Sequence, residues 1–156
     1  MKKNYVILCL FIAVLFAGAG FITGQNINSR EKVNPPENGD IVDIKVTYKQ
    51  SGKDGTSYTI VVKNISKYII KQNSFYVSYP IKYGSSHTMN KCKAETTGNK
   101  LNIKPNEEVT LNAFIPIENY KNNENLDISE PDYEMKGYLG EVSEMNHFEE
   151  SGGFPR

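Results

Sequence analysis

The sequence predicts an all-β fold, an antiparallel sandwich of about seven strands, preceded by an N-terminal membrane-targeting helix. Three observations predict it. From Asp40 onward apolar side chains recur with a period of two, not the period of a helix. Clusters of Gly, Pro, Asn and Asp punctuate these runs at roughly 8–12-residue spacing, as in sandwiches and small barrels. Ahead of them, Lys2-Lys3 precedes an apolar run from Tyr5 to Ile22, and no charge interrupts the chain from Asn4 to Asn28.

That run is a targeting segment, because the two lysines resist crossing a membrane and hold the N-terminus in the cytoplasm. It has two readings. As a cleaved signal peptide it has a basic start, an apolar stretch from Tyr5 to Phe16 and small residues at Ala17-Gly18-Ala19. As a retained single-pass anchor it continues to Thr23 and supplies the roughly 20 residues that a bilayer requires. The residues after Ala19 are apolar again, which favours the anchor. Either way residues 25–156 lie outside the cytoplasm, tethered to the cell membrane or secreted after cleavage near Ala19. Cys9 follows Leu8 and has a long apolar stretch behind it, which is not the setting of a lipid-modified cysteine.

The expected organisation is a signal peptide or anchor over 1–24, a polar linker over 25–39, a sandwich over 40–143 and a flexible acidic tail over 144–156. The linker carries Pro35-Pro36 and ends in Asn38-Gly39. The first strand sets Val42, Ile44, Val46 and Tyr48 on one face, against Asp43, Lys45, Thr47 and Lys49. Ser51-Gly52-Lys53-Asp54-Gly55 reads as a hairpin turn, followed by a strand from Tyr58 to Ile65. Phe75, Val77, Tyr79 and Ile81 share a face of the next strand, with Pro80 at its end or edge. Gly84-Ser85-Ser86 is a loop and Lys91–Thr97 a weak strand. Leu101-Asn102-Ile103 alternates, Lys104–Glu107 turns, and Val109–Ile117 is a strand with alternate apolar residues. Glu118–Asp132 reads as a polar loop anchored by Leu126 and Ile128, ahead of a last strand over Tyr133–Val142.

Charge is balanced, with 18 basic and 18 acidic side chains, but not evenly spread. Gln25–Ile117 carries 13 basic and 8 acidic residues, whereas Glu118–Arg156 carries 3 and 10. An acidic end folded beside a basic body lowers self-repulsion, and an acidic interaction tail or weak cation site is the alternative. The compartment, the balance and the lack of a compact Lys/Arg block argue against nucleic acid. Beyond Cys9 the only cysteine is Cys92, so no intramolecular disulfide staples the exported domain. Cys92 is expected to be buried.

Two stretches carry a resemblance. Val61-Val62-Lys63-Asn64-Ile65-Ser66 is a strand ending in Asn plus a small polar residue. Leu101-Asn102-Ile103-Lys104-Pro105-Asn106-Glu107 is an alternating run closed by a turn. Together they resemble bacterial extracytoplasmic immunoglobulin-like modules, with Asn106 where those have Gly. Asn tolerates the positive φ that such a turn needs. The resemblance covers residues 42–142 and implies a sandwich used for adhesion, sensing or accessory contact. It implies no site residue.

The chain offers little chemistry. His87 in Ser85-Ser86-His87-Thr88 and His147 in the acidic stretch 144–150 read as solvated histidines, since neither has triad partners or metal-ligand spacing. Glu107/Glu108 and Glu130/Asp132/Glu134 are the paired carboxylates a small envelope hydrolase would use. The first pair is explained by a turn and the second by an exposed acidic face. Asp127, Glu130 and Asp132 lack the order of a calcium loop. Tyr76, Tyr79 and Tyr83, with Tyr133 and Tyr138, could form a sugar-stacking platform, but alternation turns Tyr79 inward and only Tyr76 outward. No catalytic, cofactor-binding or metal-ligating residue is assigned, and no cofactor. The expected function is non-enzymatic contact with an envelope protein or polymer, with the membrane engaged through residues 5–23 where the run is uncleaved. A small envelope hydrolase and a calcium-stabilised, ligand-sensing module are the alternatives.

Overall fold

A computed structural model describes Val33 and residues 40–155. The targeting run over 1–24 and the linker over 25–39, apart from Val33, lie outside the described residues. Among the described residues no helix is long and apolar enough to cross a membrane.

The described chain is all-β and every strand pairing is antiparallel. One sheet holds β1 (Val42–Ser51), β2 (Gly55–Asn64) and β8 (Glu108–Pro116), in the order β1-β2-β8. The second runs β10-β9-β3-β6, from β10 (His147–Gly153), β9 (Asp132–Leu139), β3 (Ile70–Ser78) and β6 (Ala94–Glu95). Short β7 (Asn102–Ile103) also pairs with β3. A separate hairpin is formed by β4 (Ile81–Tyr83) and β5 (Ser86–Thr88). Gly84, at φ 61, fills the first turn position, where glycine is favoured.

The alternation seen in the sequence builds the core. Ile60 and Val62 of β2 and Leu111, Ala113 and Ile115 of β8 point inward from the first sheet. Phe75 and Val77 of β3, with Met135 and Leu139 of β9, meet them from the second. Burying each such side chain stabilises the fold by about 1.5–3 kcal/mol. Tyr58 and Tyr79 join the sheets through their hydroxyls, 3.0 Å apart in the interior, and burial followed by this bond raises the Tyr58 pKa. One edge is closed by the chain itself. Thr96 N–H donates to Phe75 of β3, while Thr97 exchanges both backbone bonds with Asn112 of β8. The crossing is tight at Gly98, φ 90, where an added Cβ would sit 2.7 Å from the Thr110 carbonyl oxygen.

Five expectations are corrected. Tyr48 is exposed rather than inward, because a bulge at Thr47 shifts the register between Val46 and Tyr48 and flips the strand's faces. Beyond it Lys49, itself exposed, pairs with Tyr58, its amine 5.6 Å from the Tyr58 ring centre. The acidic tail is a strand over 147–153. It forms β10, paired along β9, with Phe148 buried in the core and Phe154 packed against it. Cys92 is exposed, because the expected strand over 91–97 contracts to β6 and leaves Cys92 in the preceding loop. Of the two loop anchors only Leu126 is buried, and Ile128 is exposed. Val33 is buried within the core cluster, so this part of the linker is packed against the domain.

Asn64, fully buried at the end of β2, ties the two stretches quoted above together. Its side-chain amide donates to the Tyr68 and Ile103 carbonyls at 2.7 and 2.9 Å. Its carbonyl oxygen accepts from the Ser66 N–H and hydroxyl. Its backbone exchanges bonds with Glu107 and Asn106, and Asn106 has φ 62. Asn64→Ala should cost about 2–4 kcal/mol in chemical denaturation, because it strands several buried partners at once. A loss no larger than that of an exposed substitution such as Thr110→Ala would show that the site does not join the sheets.

Candidate functional site

The main concentration of ionisable side chains lies on the outer face of the second sheet. Register places Tyr76 opposite Glu134 and Ser78 opposite Asp132, with Ser151 of β10 also opposite Glu134. These residues alternate with the core residues Phe75, Val77 and Met135, so they face away from the sandwich. Over this face stand His87 and Thr88 of β5, Met89 and Lys93, enclosing a cavity of about 170 Å³.

Glu134 is the centre of the arrangement. It is only 5% exposed, yet its carboxylate receives Lys93 Nζ at 2.5 Å and Lys136 Nζ at 3.0 Å. Burial alone would raise its pKa. The two lysine hydrogen bonds and their charges outweigh that and hold it below the usual carboxylate value. Lys93 also sits over the Tyr76 ring, 4.8 Å from its centre, and Lys136 reaches Glu149 of β10 at 3.2 Å. A four-charge network therefore spans the sheet from Lys93 to Glu149. It is the expected match of basic body and acidic end in atomic form, since Lys93 comes from the first region and Glu134 from the second.

The cavity rim has its own pair. His87 Nε2 lies 3.2 Å from Asp127 Oδ2, and the other oxygen of Asp127 accepts the Ser129 hydroxyl at 2.5 Å. That hydroxyl bond is the main reason the Asp127 carboxyl is lowered. The loop carrying Asp127 is held to β4, since Asp127 N–H donates to Pro80 and Lys82 N–H to Asn125. Asp132 differs. Burial raises its pKa, and His87 only partly offsets this.

The expected exposed acidic face over Glu130, Asp132 and Glu134 is therefore not found. Glu134 is buried and paired, because Lys93 and the β4–β5 hairpin fold over the strand. His87 is exposed, as a loop histidine should be, with its Nε2 against Asp127. Glu107 is tied to its own turn, by Lys100 and by the Lys104 N–H at 2.8 Å. His147 packs edge-on against Tyr138 on β9, away from this cavity. Tyr133 turns to the core side and stacks on Phe75, and Tyr79 is buried, so the tyrosines form no common platform. Lys93 and Lys136 were not singled out in the sequence. The usable signal was Lys136 two residues after Glu134; Lys93 is 41 residues away and carried none.

Chemically, this arrangement neutralises charge. Asp132 and Glu134 are neighbours along one strand face, not carboxyls opposed across a substrate, and Glu134 is committed to two cations. Among the described residues no group of three His, Cys, Asp or Glu side chains could hold a metal ion.

No family model matches the chain, and no curated protein matches it. Among solved structures it is similar to the archaellum periplasmic stator protein FlaG from Sulfolobus acidocaldarius, at 12% identity and a TM-score of 0.36, covering 72% of this chain and 99% of that one. It is likewise similar to the archaellum periplasmic stator protein complex FlaF and FlaG from the same organism, at 12% identity and a TM-score of 0.35, covering 78% and 96%. These values are too low for either likeness to bear on function.

Glu134→Gln should lower stability by about 1–2 kcal/mol near neutral pH, since two partly exposed lysines lose their counter-charge. A depressed carboxyl contributes stability above its unfolded value of about 4.3 and loses it as pH falls through the folded value. The difference between wild type and variant should therefore shrink in denaturation curves recorded well below that range. A difference independent of pH would show that the ion pairs are not its source.

Proposed function

We propose that the chain is a non-enzymatic, membrane-tethered module of immunoglobulin-like type, displayed outside the cytoplasm and acting by contact with another envelope protein or polymer. The carrying observation is the state of the charged groups on the second sheet. Glu134 is clamped by Lys93 and Lys136, and His87 is occupied by Asp127. Groups satisfied by one another shape and stiffen a surface, whereas a catalyst keeps an acid, base or nucleophile available. In this reading residues 1–24 are the retained anchor, the chain up to Val33 is the stalk, and residues 40–153 are the displayed domain.

Two measurements test the proposal. Membrane fractions should yield the intact 17.6 kDa chain by mass, and a mature N-terminus just after Ala19 would overturn the tether. The purified full-length protein should release no product from cell-wall polymers. Turnover abolished by Asp132→Asn would overturn the non-enzymatic assignment, because Asp132 is the one carboxyl of the cavity whose pKa is raised.

A further inference from the structure

We infer that the end of the sandwich where the chain enters the domain is a bilayer-contact surface. This rests on the tethered reading above. Three segments meet at that end: the approach to β1 with Val33 and Ile41, the β2–β3 loop over 65–69, and the β9–β10 loop over 140–146. Their contacts are continuous. Ile65 N–H donates to Ile41 and Gly140 N–H to Ile69, while Val33 lies against Gly140. Val33, Ile41 and Met145 line one cavity of about 270 Å³.

This end exposes Ile65 (46%), Ile69 (37%), Val142 (48%) and Met145 (58%). A single exposed apolar side chain is ordinary; four on two adjoining loops form a patch. What covers it follows from the length of the chain ahead of it. Only ten residues, 23–32, separate the apolar run from Val33, which is packed against the domain. Ten residues reach at most about 35 Å, so the patch lies within that distance of the lipid surface. The opposite end, with Ile128 on the β8–β9 loop, is separated from this one by the length of β1, about 33 Å.

The contact is apolar rather than electrostatic. Exposed Lys67 lies between Ile65 and Ile69 while Glu141 and Glu144 flank Val142 and Met145, so charges of both signs rim the patch and zwitterionic lipid accepts all four apolar side chains. The patch therefore seats the domain on the bilayer and fixes which faces point away from it.

The chain contains no tryptophan, so one introduced indole is a unique reporter. Met145→Trp and, as reference, Ile128→Trp are made in the full-length chain and reconstituted into phosphatidylcholine vesicles carrying lipid brominated high on the acyl chain. Quenching at position 145 should exceed that at 128 by about twofold or more, and should persist in high salt. Adding Ile69→Asp and Val142→Asp, both at exposed positions, should reduce it to the reference level while the protein still floats with the vesicles. Equal quenching at the two positions in a floating protein overturns the surface alone, as does quenching unchanged by the two aspartates. A protein that does not float overturns the tether and the surface with it.

Discussion

Asn64 is the constraint on which the rest of the fold depends. One buried side chain and its backbone satisfy groups from the β2–β3 turn, from β7 and from the Lys104–Glu107 turn. An aliphatic residue there would remove the side-chain donor to the buried Ile103 carbonyl, at a cost of about 1–3 kcal/mol, and leave the Tyr68 carbonyl to the Ser66 hydroxyl. The bonds also set direction. By fixing β2 against β7, Asn64 determines where β3 begins, and Ile70 of β3 then pairs with both Ile103 and Leu139. The second sheet is assembled from that point.

Once β3 and β9 are in register, the outer-face charges have no choice of neighbour. Tyr76 and Ser151 flank Glu134 across the strands, and the loop bringing Lys93 arrives over Tyr76. The carboxylate can be buried because the lysines come with it. Without them desolvation would raise the Glu134 carboxyl above its usual value. On this face the two regions of opposite charge meet through Lys93 and Glu134, while Lys136 and Glu149 both come from the acidic region.

Much of the fold was legible in the sequence because period-two alternation survives wherever a strand is buried on one side. β2 and β8 follow it closely, and β3 does so from Asn73 to Val77, beyond an irregularity at Gln72. Expectation failed where one residue changed the parity or where long-range contacts held a weak strand. The Thr47 bulge turned Tyr48 outward, and nothing local marks Thr47 as the inserted residue. β10 reads His-Phe-Glu-Glu-Ser-Gly-Gly, with one apolar anchor in seven residues, and is held by pairing to β9 rather than by its own propensity. The short β4–β5 hairpin was legible only as a loop. The candidate site was half visible: the acidic residues stood out, but the lysines that neutralise them are brought in by topology.

β10 is secured by a second carboxylate whose behaviour is opposite to that of Glu134. Glu150 accepts the Ile41 N–H at 2.9 Å and the Tyr133 hydroxyl at 3.3 Å, joining β10 to the start of β1 and to β9. Burial is the leading influence on it, and although the Ile41 bond opposes this, its pKa is raised. Burial likewise pushes the neighbouring Tyr133 hydroxyl up to about 12. A raised carboxyl contributes its full stability below the unfolded pKa and loses it as pH rises through the folded value, whereas Glu134 does the reverse. Acid therefore weakens the network on the outer face, whereas at the edge protonation relieves the desolvation of Glu150 while weakening the two hydrogen bonds that it accepts. The two carboxylates sit on opposite sides of the same strand pair, so their responses partly cancel where β9 meets β10.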